Sequence, residues 1–181
     1  DEVIDVGSSS AENRNERTYV DYRGNTVIIK VGDSRRGWVD AYQATIDAAT
    51  DFDFDNKRPV HIHVDLSSIR PAGEKLKGFG GTSNPIKLRD LFYRVAEILT
   101  AAVGRKLTAV ECCLLIDEAA TVVVAGNIRR SAGMRQFSFD NQQANKAKDN
   151  LWQQDAEGNW KIDPKRDALR MANHTRVYHK K

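Results

Sequence analysis

Apolar and polar positions change period several times along the chain, and each change marks an element. In RTYVDYRGNTVIIKV, residues 17–31, β-branched and aromatic residues stand on both sides of Arg23-Gly24-Asn25. That pattern predicts two strands joined as a hairpin near the N-terminus. GDSRRGWVDAYQATIDAAT, residues 32–50, switches to helical spacing, with Trp38, Tyr42, Ile46 and Ala49 on one predicted buried face. Asp33 or Ser34 stands at its N-cap, where a side-chain oxygen accepts a free backbone N–H. Val60, Ile62, Val64 and Leu66 then alternate with His61, His63, Asp65 and Ser67, the period of a half-buried strand.

The next stretch, IRPAGEKLKGFGGTSNP at 69–85, is a loop with four glycines, two prolines and two lysines. Pro85 suits the first turn of a helix. Leu88, Leu91, Phe92, Val95, Ile98, Leu99 and Ala102 form its apolar stripe, and Gly104 ends it. Thr108 with Glu111 three residues later is a capping box, opening a helix that the pattern carries to about Val124. Strand, helix, strand, long loop, helix, helix, loop and strand in this order predict an α/β fold with room for parallel crossovers. Residues 1–16, rich in Ser, Asn and Glu, read as a flexible end; 17–140 carry the α/β elements; 141–181 are a polar C-terminal extension with a turn at 156–159.

Composition narrows the class without deciding it. In 181 residues, 28 Lys and Arg face 25 Asp and Glu, too even a balance for an extended nucleic-acid surface, although His179, Lys180 and Lys181 are locally basic. No apolar run approaches the roughly 20 residues of a membrane helix, so the reading is a soluble, cytoplasmic protein without membrane or direct nucleic-acid partners. The two cysteines, Cys112 and Cys113, are adjacent. Consecutive Cα atoms lie about 3.8 Å apart, below the usual span of roughly 4.4–6.8 Å for a disulfide, so they read as two small core residues of a helix.

Several motifs fail on inspection. His61 and His63 share a strand face, but no third metal ligand is near in sequence. DFDFDN at 51–56 begins like a calcium loop, yet Asn56 stands where Gly is wanted and Ile62 where Glu must close it. Gly73 and Gly78 have P-loop spacing, but Phe79 and Gly80 replace the Lys and Ser/Thr. What survives is more general. Gly73, Gly78 and Gly80 let backbone N–H groups approach an anion, and Arg70, Lys75 and Lys77 add positive charge for phosphate. Asp33 and Ser34 sit at a helix start, and Gly126, Asn127, Arg129 and Arg130 lie in AGNIRRSA, 125–132. Three such loops in one α/β domain point to nucleotide binding.

GDSRRGW, DLSSIRPAGEKLKGFGGT, LTAV and VVAGNIRRSA, in this order, resemble the adenosylcobalamin-dependent (class II) ribonucleotide reductases, in their ribonucleoside-triphosphate reductase branch. The likeness covers residues 26–140 and, more weakly, RMANHTRV at 170–177. It implies a slice of a ten-stranded α/β barrel that reads nucleotides, with 141–181 continuing the barrel. It implies that Asp33 and Ser34 hold the sugar and base of a deoxynucleoside triphosphate effector and that Arg70 contacts its phosphates. The loop at 72–82 would be the first specificity loop, and 125–132 the second, with Arg129 facing the substrate. It also implies a ribonucleotide substrate, adenosylcobalamin and a thioredoxin-type reductant for the complete enzyme.

The departures limit what this chain does alone. The family's radical cysteine stands beside a glutamate in an Asn-Pro-Cys-Gly-Glu segment that does not occur here, and Cys112 and Cys113 match neither that cysteine nor the reducing pair. Gly80-Gly81-Thr82-Ser83-Asn84-Pro85 is also one residue shorter than the usual loop end. Two other readings of the residues stand beside this one: an autonomous nucleotide-binding regulatory module, and a small α/β nucleic-acid-binding module.

Overall fold

A computed structural model of the chain describes residues 6–7, 9–50, 60–75, 82–122, 124–125, 128–129 and 133–178. Tyr19–Arg23 (β1) and Thr26–Lys30 (β2) pair antiparallel around Gly24 and Asn25, with Arg23 opposite Thr26. Gly24 takes φ +61°, a left-handed conformation that costs glycine little in a two-residue turn. Arg35–Thr50 (α1) then leads towards His61–Asp65 (β3), which pairs parallel with β2 in the register Thr26 to His61 through Lys30 to Asp65. The sheet order is β1-β2-β3, with β2–α1–β3 as a parallel crossover unit.

The chain divides into two compact units, Asp1–Phe92 and Tyr93–Lys181. In the first, Val27, Ile29 and Val31 of β2 and its exit are fully buried, with Leu66, Ile69 and Leu88. Each such side chain contributes roughly 1.5–3 kcal/mol by leaving water. The buried face of α1 is Gly37, Ala41, Thr45 and Ala48, one position back from the predicted Trp38, Tyr42, Ile46 and Ala49, which are half-buried. The reason is close approach. A Cβ on Gly37 would lie 2.6 Å from the Gly32 carbonyl oxygen, so small residues set the contact line and the larger ones flank it.

Of the stretch 1–16, read as a flexible end, residues 9–16 are held against the rest of the first unit. Ser9 is buried, the Asn15 carbonyl accepts from the Asp33 amide at 2.6 Å, and the Glu16 carbonyl accepts from the Ser34 hydroxyl at 2.6 Å. Polar residues that looked unstructured in sequence are tied down by hydrogen bonds that sequence does not display.

Pro85–Ala101 (α2) starts in the first unit and ends in the second, with Pro85 in its first turn and Asn84 accepting from the Lys87 amide as N-cap. Ala109–Val122 (α3) follows and ends two residues before the predicted Val124, because Val124–Ala125 (β4) pairs with Ile128–Arg129 (β5). Gly133–Ser138 (β6) pairs parallel with Ala172–Val177 (β9). Between them lie Gln142–Asn145 (α4), the antiparallel pair Trp152–Gln154 (β7) and Trp160–Ile162 (β8), and a 3-10 helix at Asp167–Met171. The polar extension is therefore folded. A few of its small and aliphatic residues build a core: Ala147, Ala168 and Leu169 form a cluster with Leu114, against which Ile98, Val110 and Cys113 pack. Trp152, Trp160 and Tyr178 stay exposed.

The cysteines need correction. Cys112 is exposed and only Cys113 turns to that cluster, because adjacent helical residues point about 100° apart. The capping box forms: Thr108 N donates to Glu111 at 2.8 Å, and Glu111 N to the Thr108 hydroxyl at 3.2 Å. Bonds from Arg105, opposed by burial and aided by Thr108, hold the Glu111 carboxyl down to about 2 from 4.5. A depressed carboxylate stabilises the fold above its ordinary pKa, so the protection of α3 amides should hold above about pH 4.5 and fall as pH drops towards 2. Thr108→Ala should remove about 1 kcal/mol at any pH in the neutral range, read from the same amides by hydrogen exchange.

Candidate functional site

Parallel pairing of β2 and β3 brings their carboxyl ends side by side, the place where open α/β sheets take ligands. Val31 N donates to the Asp65 carbonyl at 2.9 Å, and the buried Ser68 hydroxyl donates to the Val31 carbonyl at 2.8 Å. These bonds tie the exit of β2, which carries Asp33 and Ser34, to the exit of β3, which carries Arg70. Gly32 lets the backbone at Glu16 and Arg17 pass against the exit of β2: a Cβ there would lie 2.5 Å from the Arg17 backbone.

Asp33 and Arg70 meet. The Arg70 Nε donates to Asp33 Oδ2 at 2.9 Å and Oδ1 at 3.1 Å, and the Arg70 amide reaches Oδ1 at 3.3 Å. The Asp33 side chain is only 4% exposed and Arg70 21%. The resemblance gives Asp33 to the sugar and base and Arg70 to the phosphates, whereas here the two side chains are paired with each other. Charge explains the difference: a buried carboxylate needs a cation and N–H donors, and Arg70 offers both. Ser34 accepts from the Gly37 amide at 2.9 Å and so caps α1.

Two residues that sequence reasoning left out complete the cluster. Arg14 forks onto Glu74, with Nη1 to Oε1 and Nη2 to Oε2 both 2.6 Å, and its Nε lies 3.9 Å from Asp33. Arg70 Nη1 lies 3.7 Å from Glu74. The fork from Arg14 holds the Glu74 carboxyl below the usual carboxylate range. Two guanidiniums and two carboxylates thus alternate and cancel. Glu74 was visible as the one acid in a basic loop, whereas Arg14 gave no signal in a polar N-terminal stretch.

The glycine loop has a built base. Gly73 N donates to the Ser83 carbonyl at 3.0 Å, Ser83 N donates to the Glu74 carbonyl at 2.8 Å, and Lys75 bridges Thr82 antiparallel. Gly73 takes φ +82°, which favours glycine there. Lys75 is exposed beside this base, while Lys77, Gly78 and Gly80 lie outside the described residues, as does DFDFDN.

In the second unit, the segment expected as a loop past a helix end contains the β4–β5 pair, with Arg129 opposite Val124. Gly126, Asn127 and Arg130 lie outside the described residues. Sequence reading also missed a buried polar cluster on α3. Asp117 is fully buried and pairs with Arg135 of β6, and Glu118 lies 3.8 Å from Arg94. Burial pushes the Glu118 carboxyl up despite Arg94. Two acids inside the apolar run LLIDEAA were the available signal. His61 and His63 are both exposed, and among the described residues no three His, Cys, Asp or Glu side chains are grouped to hold a metal. No helix among them is long and apolar enough to cross a membrane.

Comparison with known proteins gives a consistent result. Residues 1–99 match the family model described as B12-dependent ribonucleotide reductase, insertion domain. The chain is 39% identical over 119 residues to the adenosylcobalamin-dependent ribonucleoside-triphosphate reductase of Lactobacillus helveticus, covering 65% of this chain and 16% of that protein. It is 38% identical over 140 residues to the enzyme of the same name from Levilactobacillus brevis, covering 72% of this chain and 18% of that protein. A crystal structure of a B12-dependent (class II) ribonucleotide reductase is similar at a TM-score of 0.60 and 31% identity, over 71% of this chain and 17% of that one. The chain therefore spans less than a fifth of the length of these relatives. The chain belongs to the B12-dependent ribonucleotide reductase family, its residues 1–99 matching the insertion domain.

Proposed function

We propose that this chain is the effector-reading part of an adenosylcobalamin-dependent ribonucleoside-triphosphate reductase, which converts ribonucleotides to deoxyribonucleotides by radical chemistry. The observation that carries the reading is Arg70. It stands at the entrance of a glycine loop, beside the start of a helix, at the carboxyl ends of two parallel strands. A deoxynucleoside triphosphate would meet the Arg70 guanidinium, Lys75, Lys77 and the loop amides around Gly73, Gly78 and Gly80 through its phosphates. Asp33 and Ser34 form the floor of the site, Asp33 by orienting Arg70. The segment at 125–132, with Gly126, Asn127, Arg129 and Arg130, relays effector identity to the substrate base. The α/β elements of 17–140 would form their slice of the ten-stranded barrel together with the matched insertion domain.

The ribonucleotide substrate and a thioredoxin-type reductant belong to the complete enzyme. Adenosylcobalamin would supply the radical there. The reading is tested with Arg129→Ala in the complete protein. Effector affinity should stay near the parent value, while competition among the four substrates should become insensitive to which deoxynucleoside triphosphate is present. Loss of effector binding with intact substrate selection would overturn it.

A further inference from the structure

The cluster beside the glycine loop contains one more arginine than the effector reading uses, and an anion already on it. Arg14 spends both terminal nitrogens on Glu74, which the nearby Arg70 also faces at 3.7 Å. The partnership is not a deeply buried structural one. Glu74 is 33% exposed and Arg14 18%, whereas Asp33 is 4% exposed. Arg70 makes its side-chain hydrogen bonds through Nε to Asp33, and among the described residues its two Nη groups make none. Two guanidiniums therefore converge on one half-exposed carboxylate at the base of the loop. A carboxylate held by two nitrogens at 2.6 Å reproduces the geometry with which an arginine forks onto two phosphate oxygens. It also cancels the charge that a triphosphate needs.

We propose that Arg14 is a further effector-binding residue, and that Glu74 is the internal anion that the phosphates of the effector replace on Arg14 and Arg70. The inference rests on the effector reading given above and deepens it. Asp33, buried, keeps its bond to the Arg70 Nε and holds that guanidinium in place. Glu74, at the loop base next to the Lys75–Thr82 bridge, swings into water when phosphate arrives. The segment at 9–16 then becomes a strap whose cation closes on the ligand. With the site empty, Glu74 keeps both arginines paired and holds the loop base to the strap.

Opposite signs test the exchange. In the complete protein, equilibrium binding of dATP, dGTP, dCTP and dTTP is measured for Arg14→Ala, Arg14→Lys, Glu74→Gln and Arg70→Ala, with inorganic tripolyphosphate as competitor. Arg14→Ala should weaken all four ligands by about tenfold, the cost of a charged hydrogen bond, and Arg14→Lys should weaken them less. Glu74→Gln should tighten all four several-fold, and should also make tripolyphosphate a stronger competitor. A merely structural ion pair would give the same sign for Arg14→Ala and Glu74→Gln, or no change in either, and that result overturns the proposal. If Arg14→Ala fails to fold, Glu74→Gln and Arg14→Lys decide the matter on the same signs. Retained binding in Arg70→Ala would instead overturn the effector reading itself.

Discussion

Asp117→Ala should destabilise the second unit by about 3–5 kcal/mol, the cost of removing one partner of a buried ion pair. Asp117 is fully buried on α3, and its partner Arg135 on β6 is only 17% exposed. Truncating the acid leaves a guanidinium with little access to water and no compensating charge. Cys113 shares the environment: burial, with Asp117 nearby, pushes its thiol up, so it is a packed group and not a poised thiolate. The measurement is hydrogen exchange of α3 and β6 amides in the complete protein, where exchange should accelerate by roughly two to four orders of magnitude. Replacing both partners by apolar residues of similar size, Asp117→Leu with Arg135→Met, should recover most of the loss. Unchanged protection in Asp117→Ala would show that the pair carries no such weight.

Local periodicity made the helices and the first strands legible. Alternation gave β3, and the stripe from Leu88 to Ala102 gave α2, because each depends only on residues a few positions apart. The face of α1 was misjudged by one position because hydrophobicity ranks Trp38 and Tyr42 above Gly37 and Ala41. The packing constraint is instead the distance from Gly37 to Gly32. The polar segment after 140 gave no periodic signal, since its core contribution comes from a few alanines and leucines. Site chemistry followed the same division. Residue types at 33, 34 and 70 suggested anions and cations near a nucleotide, but pairing between positions 37 residues apart has no local signature. Nor could composition show that Arg14, in a stretch read as a loose end, would reach Glu74 60 residues away.

Arg70→Ala should weaken deoxynucleoside triphosphate binding by roughly 1.5–3 kcal/mol, the range for hydrogen bonds to a charged group. The arginine is fixed on one edge, and its other edge faces Glu74 only at 3.7 Å, without a hydrogen bond. Asp33, nearly without solvent access, holds the Nε edge through bonds of 2.9 and 3.1 Å, so little side-chain freedom remains to be lost on binding. In the proposed reading the terminal nitrogens are the groups that would fork onto phosphate oxygens. Arg70→Lys should not rescue binding, because an ammonium cannot satisfy Asp33 along one edge and grip two oxygens along another. Asp33→Asn separates the two roles considered for that residue. If Asp33 acts by orienting Arg70, Asp33→Asn should weaken tripolyphosphate and deoxynucleoside triphosphates by similar factors, since both depend on the same guanidinium. If it contacts the sugar, tripolyphosphate should bind the variant as well as the parent, and only ligands carrying a ribose should suffer. Equal losses, smaller than those of Arg70→Ala, are the expected outcome in the complete protein. A loss confined to the nucleotides would return Asp33 to the sugar, and full binding by Arg70→Ala would remove the phosphates from this end of the sheet.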